Sequence, residues 1–571
     1  METTPPAPGN PASVPSAALK VLAVRAVGTT AVLAELSGLP GVLALQALLV
    51  KHPLPGQVDV LAAAETVLVM ADSPRSARRM PGLLFAMDLA VQERAAGRLV
   101  TIDTVYDGED LAEVGRLTGL GPDGVVAAHS GQVWTVAFGG FAPGFGYMVG
   151  ENQVLDVPRR SSPRTVVPAG SVALAGSYSA VYPRQSPGGW QLIGRTAARM
   201  WDLGREQPAL AAPGDQVQFR PVRELIEVAV PDEGTKPAGS PRDAGLRVLS
   251  PGLQSLIQDL GRPGHTGLGV GAAGALDRSS LRRANRLVGN SPSAAAVEAV
   301  AGGLEVQAVG DQILAVTGAA AELTAMRPAG DPDDADACLK RNIALAEPFV
   351  LRNGEVLTIG PRRRGFRSYL AVRGGVEAEQ VLGSRSTDTL SGLGPAPLAA
   401  GIFIHAGEAT ESRVVSNPEV QPDFPGEGVT VLDVVPGPRE DWFDAAAVAS
   451  FYHQEWEVTP RSNRIGMRLT GQALARSRQG ELASEGTVAG ALQVPPEGMP
   501  VLFLADHPVS GGYPVIGVVV DHQLDLAGQV PIGGRIRFRR VEGGAEGTSA
   551  FASEATVLPT DPPAGTATAL G

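Results

Sequence analysis

The chain has 571 residues, with 47 Lys and Arg against 59 Asp and Glu and a net charge of −12, a balance that excludes broad nucleic-acid binding and a polybasic membrane surface. Charged residues make up 19% and aromatics 5%, with 71 Gly and 47 Pro, which points to a multidomain, turn-rich β protein rather than a helical bundle. The lone cysteine, Cys338, excludes an intramolecular disulfide or a Cys-cluster metal site, and no run of about eighteen apolar residues reads as a membrane span. The expected compartment is the cytoplasm.

The lysines are Lys20, Lys51, Lys236 and Lys340. None sits in a G-x-x-x-x-G-K-[ST] setting, so a P-loop is excluded. None is flanked by methionine, so any biotin involved is carried by another polypeptide.

In chain order, residues 1–17 lack a basic start and an apolar core and are expected to be a disordered leader. Residues 18–99 read as a small α/β lobe. It has a strand at Ala31, an amphipathic helix from Val42, strands from Val58 and Thr66, and a helix from Ser76 that continues despite Pro81. Residues 100–230 begin with a strand, helices over 110–117 and 121–129, and a strand from Val133. FAPGFGY follows from Phe141, then short β-branched runs cut by Pro and Gly clusters.

Two of those clusters, Phe141 to Phe145 and Ser186 to Trp190, combine Pro, which fixes φ, with Gly, which permits positive φ. They are expected to aim backbone N–H groups at a small anionic or carbonyl-bearing ligand, bracketing Pro163, Arg164 and Arg195. His129, at a helix end before the first cluster, reads either as a partner for helix carbonyls or as a proton carrier near the loop.

Residues 231–245, PDEGTKPAGSPRDAG, form a linker. Residues 246–543 make the second half. A helix is expected to start near Asp277, a good cap, with Leu281, Ala284 and Leu287 inward and Arg282, Arg283 and Arg286 mainly outward. Polar groups gather beside glycine turns: Gln254, Gln258, Asp259 and Arg262; Asn463 and Arg464; Ser484, Glu485 and Gln493; and Asp506. Arginine with amides suits a carboxylate, phosphate or ureido group, and a carboxylate nearby suits a general base or a metal ligand. Residues 544–571 are expected to be a disordered tail.

The first-half order PGF-Y, PR–VPAGSV, YP–SPGGW-L-GRT resembles the B component of bacterial 5-oxoprolinase, which is related to the first component of allophanate hydrolase and to the carboxyltransferase portion of urea carboxylase. The second half, from LQSLIQDLGRPGH through LDRSSLRRANRLVGN to TDTLSGLGP, SNRIGMRL, SEGTVAGALQVPPEG and GGYPVIG, resembles the C component, equivalent to the second component of allophanate hydrolase. The chain thus resembles a B–C fusion. This implies a β-rich α+β fold with two cyclophilin-like β-barrel domains, the first preceded by the small α/β lobe.

The resemblance implies an ATP-dependent lactamase component that opens 5-oxoproline to glutamate with a separate A component. ATP, with Mg2+, would transfer a phosphoryl group to the lactam oxygen, and no covalent biotin is carried on this chain. It implies catalytic roles for His129, Glu485 and Asp506. Contacts to substrate or phosphate would come from Phe145, Arg164, Ser179, Ser186, Gly188, Gly189, Arg195, Gln258, Asp259, Asp277, Asn463, Arg464 and Gln493, and no metal ligands are assigned. Partners are a protein like the 5-oxoprolinase A component and a lactam or amide, without nucleic acid or membrane, and oligomerisation is left open.

Two departures bear on the substrate. Tyr178-Ser179 stands where relatives carry Gln-Thr, and Asp506-His507-Pro508-Val509 replaces an Asp-x-Gln-Thr run. Two further readings are carboxyl transfer from carboxybiotin to urea or a related amide, and a non-catalytic histidine-kinase inhibitor and antagonist in one chain.

Overall fold

The computed structural model describes residues 19–89, 97–160, 162, 164–225, 244–327, 340–409, 412–415, 417–478, 480 and 482–542. The expected leader and tail, residues 231–243 of the expected linker, Pro163 and Cys338 lie outside the described residues.

Four strands, β1 (Val21–Val27), β2 (Ala31–Leu36), β3 (Gln57–Ala62) and β4 (Thr66–Ala71), form an antiparallel sheet in the order β1-β2-β4-β3. Their side chains alternate, and both faces are covered. Val32, Ala34, Val60, Ala62, Val67 and Val69 pack under helices α1 (Leu39–Lys51) and α2 (Pro74–Phe85). Leu33, Leu61 and Leu68 point the other way, against Ala491, Phe503, Val515 and Val518 of the second half. This double burial is why these strands read as almost unbroken apolar runs. Each fully buried Leu or Val contributes roughly 1.5–3 kcal/mol, so the contact with the second half adds to the stability of the lobe. Helix α2 runs through Pro81, capped by Ser73, whose side chain accepts from Ser76 N–H at 3.2 Å.

The first barrel takes β5 (Leu99–Thr104), α3 (Leu111–Thr118), α4 (Gly121–Ser130), β6 (Trp134–Gly139), β7 (Gly146–Val149), β8 (Arg164–Val167), β9 (Ser171–Ala175), β10 (Tyr178–Val181), β11 (Ser186–Gly188), β12 (Gln191–Arg195) and β13 (Gln216–Pro221). Seven strands pair as β12-β9-β10-β7-β6-β13-β5, while β8 and β11 stand apart as a two-stranded flap. The core beneath α3 and α4 holds Ile102, Val114, Val125, Trp134, Leu174, Ile193 and Phe219.

Among the described residues the second half contains two large sheet systems rather than one. A ten-stranded sheet starts at Gly245–Pro251, and a closed seven-stranded barrel runs from Val429–Pro436 to Arg535–Arg540. Helix α5 (Arg278–Leu287) is capped by Asp277 and buries Leu281, Ala284 and Leu287 against Tyr369 and Ala371 of the large sheet. Of its three arginines expected to face outward, only Arg286 is exposed. Arg282 and Arg283 are half-buried, and Arg283 and Arg286 both turn to Glu419, at 3.6 and 2.6 Å.

Candidate active site at the seam between the halves

The turn after β6 is wedged into the second half, and glycine makes the fit possible. A Cβ on Gly139 would collide with the Gly267 carbonyl, one on Gly269 with the Ala142 carbonyl, and one on Gly140 would stand 2.6 Å from Ser510 Oγ. Four N–H groups of this turn are taken: Gly140 donates to Phe145 O at 3.1 Å, Ala142 to Gly140 O at 2.6 Å, Phe145 to Ala142 O at 2.9 Å and Gly144 across the seam to Leu268 O at 3.2 Å. The expectation that this loop offers convergent N–H groups to a ligand is therefore corrected: its glycines join the halves.

Behind the turn stands an aromatic wall. Phe145 meets Tyr147, Tyr182 and Trp190 edge-on at 5.1, 5.3 and 5.5 Å, and Tyr178 meets Tyr147 at 5.8 Å. Burial pushes the Tyr147 and Tyr182 phenols up to about 12 and also raises Tyr178, so all three stay neutral O–H groups at physiological pH. Ser484 of the second half lies close enough to Tyr147 to offset part of that rise.

Alternation along β10 separates the departing pair. Tyr178 faces the aromatic wall, whereas Ser179 points into the barrel core, where its Oγ lies 2.8 Å from His129 Nε2. His129 Nδ1 lies 2.8 Å from Tyr106 Oη, and the ring packs against Trp134 and Phe219. His129 and Ser179 are both fully buried. Burial holds the imidazole neutral, with its pKa lowered to about 3. The expectation of a proton carrier beside the loop is corrected accordingly, as both ring nitrogens are occupied inside a closed core. The hydroxyl retained at Ser179 is likewise committed to that core.

In the second half, Arg464 is 2% exposed and fully engaged. Its Nε and Nη2 reach Asp506 at 3.0 and 2.9 Å, Nη1 reaches Glu298 at 2.5 Å and Nη2 also donates to Gly274 O at 2.5 Å. Glu298 accepts in addition from Tyr369 Oη at 2.7 Å and Leu276 N–H at 3.0 Å. Burial would raise the Glu298 carboxyl, but Arg464 and Arg367 hold it below its ordinary range. Asp506 accepts from both the N–H and hydroxyl of Thr389. Next to Thr389, Asp388 is raised by burial and by the charge of Asp506. Arg184 reaches from the first half to donate to the Leu390 carbonyl beside it.

Glu485 belongs to a second cross-seam cluster. Arg439 donates to Glu485 at 2.9 and 3.0 Å and to Glu35 of β2 at 2.5 Å, and Arg25 joins Glu35 at 2.7 Å. Burial raises Glu485 even against the pull of Arg439.

The remaining expected residues fall into three groups. Asp259 is saturated by Gly261 and Arg385 N–H and by the hydroxyls of Ser384 and Ser386. Asp277 caps α5 and accepts from Gln529 at 2.8 Å, and Asn463 closes a turn onto Ile465 and Gly466 N–H, so all three serve local structure. Gln258 donates to Thr387 O at 2.9 Å and Gln493 to Tyr513 O at 3.1 Å, both buried near the seam's loops. Arg164, Ser186, Gly188 and Gly189 gather at the flap, while Arg195 is exposed and paired with Asp107 at 2.8 Å.

Arg184, Asp388, Thr389, Arg439, Glu298 and Tyr147 were not singled out by sequence. The TDTLSGLGP run was a usable signal for Asp388 and Thr389. Among the described residues no group of three or more His, Cys, Asp or Glu is placed to hold a metal ion, and no helix is long and apolar enough to cross a membrane.

A seam that joins two strand-rich halves through glycine turns and buried arginine–carboxylate pairs defines a composite β-barrel protein with its polar centre between its parts. Family models described as "Carboxyltransferase domain, subdomain C and D" and "Carboxyltransferase domain, subdomain A and B" match residues 22–211 and 268–540. The chain is 33% identical over 299 residues to the C component of 5-oxoprolinase from Escherichia coli, covering 51% of this chain and 90% of the relative. It is 35% identical over 185 residues to the B component of 5-oxoprolinase from Bacillus subtilis, covering 30% and 77%. The crystal structure of TTHA0988 is similar over 88% of this chain and 96% of its own, at 34% identity and a TM-score of 0.74. The chain therefore belongs to the carboxyltransferase-domain family that includes the B and C components of 5-oxoprolinase, and its barrels are of the cyclophilin-like kind.

Proposed function

We propose that the chain is the joined B–C component of an ATP-dependent 5-oxoprolinase, acting with a separate A component in the cytoplasm. The observation that carries this is the seam: regions similar to both the B and the C component lie in one polypeptide and share a packed, charged interface. A lactam carbonyl is a poor electrophile. Phosphoryl transfer from ATP to its oxygen makes that oxygen a leaving group. Water then adds to the carbon, the C–N bond opens as nitrogen takes up a proton, and hydrolysis of the acyl phosphate leaves glutamate and phosphate.

The seam offers suitable groups for this. Arg184 and the neutral phenols of Tyr147, Tyr178 and Tyr182 are donors for developing negative charge. Asp388, raised by burial and by the charge of Asp506, keeps a proton to higher pH than an ordinary carboxyl and can hand it to the departing nitrogen. His129, Ser179, Asp259, Asp277 and Asn463 have no part in this reading.

The test is glutamate release from 5-oxoproline by the purified chain mixed with the A component of the same organism, with and without ATP. Release that needs both proteins and ATP is the expected result. A folded, complex-forming pair that releases none would remove this substrate. The carboxyltransferase description of both family models favours a second reading, carboxyl transfer from carboxybiotin on another polypeptide to an amide. Bicarbonate-derived label appearing on such an amide would select it.

A further inference from the structure

The flap on the first half holds a set of donors that nothing among the described residues satisfies. In the β8–β11 pair, Ser186 faces Val167 and Gly188 faces Arg164, so three steps on β8 oppose two on β11. That bulge brings the Arg164 and Ser186 side chains to one face. Tyr182 lies under the same face, because a Cβ on Gly188 would run into its hydroxyl.

Arg160 and Arg164 both donate to a single oxygen, Asp110 Oδ1, at 2.6 and 2.9 Å, while Asp110 Oδ2 takes the Leu192 N–H at 2.7 Å. Arg164 Nη2 donates also to the exposed Glu109 carboxylate at 3.0 Å, which leaves the two guanidinium groups at Asp110 side by side with other N–H groups to spare. Arg160 Nε, Arg164 Nη1 and Ser186 Oγ are all buried, and among the described residues none has a hydrogen-bond partner. Burying polar donors without an acceptor is costly, and three on neighbouring residues, two of them cationic, is not the pattern of a finished core. Burial would raise the Asp110 carboxyl, yet Arg164, the Leu192 N–H and Arg160 together hold it below its ordinary range, so it stays an anchoring anion.

We propose that the flap is an oxyanion-binding site, in which Arg160 Nε, Arg164 Nη1 and Ser186 Oγ take the oxygens of a carboxylate or a phosphate. The site follows from the donor geometry alone. If the lactamase reading holds, the oxyanion is either the ring carboxylate of 5-oxoproline or a phosphate of the nucleotide. The chemistry is shared, since both present planar or tetrahedral oxygens to a guanidinium pair.

The experiment is isothermal titration of the full chain, without the A component, against inorganic phosphate, ATP and 5-oxoproline in turn. Saturable binding of at least one is expected. Ser186→Ala and Arg160→Met should each weaken it tenfold or more, whereas Arg220→Met, at an exposed pair with Asp103, leaves it unchanged. Ser186→Ala removes one hydroxyl and so keeps the test sound if Arg160→Met fails to fold. Binding of phosphate and ATP but not 5-oxoproline identifies a phosphate site, and the reverse identifies a carboxylate site. No binding by the wild-type chain, or binding indifferent to both variants, overturns the proposal. Flap-dependent binding, alongside a mixture with the A component that releases no glutamate, would retain the oxyanion site and discard the lactamase reading.

Discussion

Arg464 and Arg164 look alike in the sequence, each an arginine beside a glycine turn or a Pro-Gly loop, and the structure gives them opposite situations. Arg464 is 2% exposed and held by Asp506, Glu298 and Gly274 O, a closed network in which every guanidinium nitrogen has a partner. Arg164 shares Asp110 with Arg160, and among the described residues its Nη1 at the flap has no acceptor. The difference teaches that residue type nominates an anion site, whereas unfilled hydrogen-bonding capacity selects one.

The largest expected effect breaks the closed member. Arg464→Met leaves the Glu298 and Asp506 carboxylates buried without their cation and should cost about 3–5 kcal/mol, read from the midpoint of urea unfolding. A loss under about 1 kcal/mol would show that Arg464 is not the structural member of the pair.

Asp277, another satisfied buried group, adds a pH test. Burial, with the neighbouring charge of Asp525, raises its pKa from the ordinary 3.8 to about 6. Between those values the folded chain binds this proton and the unfolded chain does not, so this contribution is fully present below about 4 and is lost as pH rises through about 6. Asp277→Asn should therefore gain on the wild type across that window by on the order of 3 kcal/mol, measured by denaturation at pH 4, 5 and 6.5. A constant difference would contradict the raised pKa.

Arg439→Met opens the clasp between Glu35 and Glu485. A loss on the order of 2 kcal/mol is expected, with calorimetry showing the halves beginning to melt separately. Ser179→Ala removes one buried hydrogen bond to His129 and should cost about 1 kcal/mol, with turnover kept. Lost turnover in a folded Ser179→Ala protein would return His129 to the chemistry. The smallest change in stability is expected from Arg164→Met, under about 1 kcal/mol because Asp110 retains Arg160 and the Leu192 N–H. Its oxyanion affinity, by contrast, should fall tenfold or more, which is the sharpest form of the comparison.

Local features were legible before the fold was seen. The apolar period found α1 and α5, Asp277 announced the cap of α5, and the β-branched runs marked β2, β4 and β6. What escaped depends on relations that no window of sequence contains. The stretch after Phe141 reads as short strands but carries no phase, and phase alone decides that Tyr178 joins the wall while Ser179 joins His129. Arg439 and Glu35 are 404 residues apart, so their clasp has no local pattern. The Phe141 loop showed that glycine was needed but not for what, since a carbonyl from another segment and a bound anion exclude a Cβ equally well. The division of the second half into two sheets was hidden because both are built from the same kind of strand and turn.

The glycine contacts of the seam also limit how the protein can change. Where a side chain crowds a neighbour, a smaller residue opposite can relieve it, and a damaging substitution has a genetic suppressor. At Gly139 and Gly269 the opposing atoms are the carbonyl oxygens of Gly267 and Ala142, which every amino acid carries. A methyl group introduced at either position thus has no compensating replacement across the seam, and a revertant must restore glycine itself or shift a backbone. The two halves are free to drift in most of their surface, but at these points each remains bound to the main chain of the other.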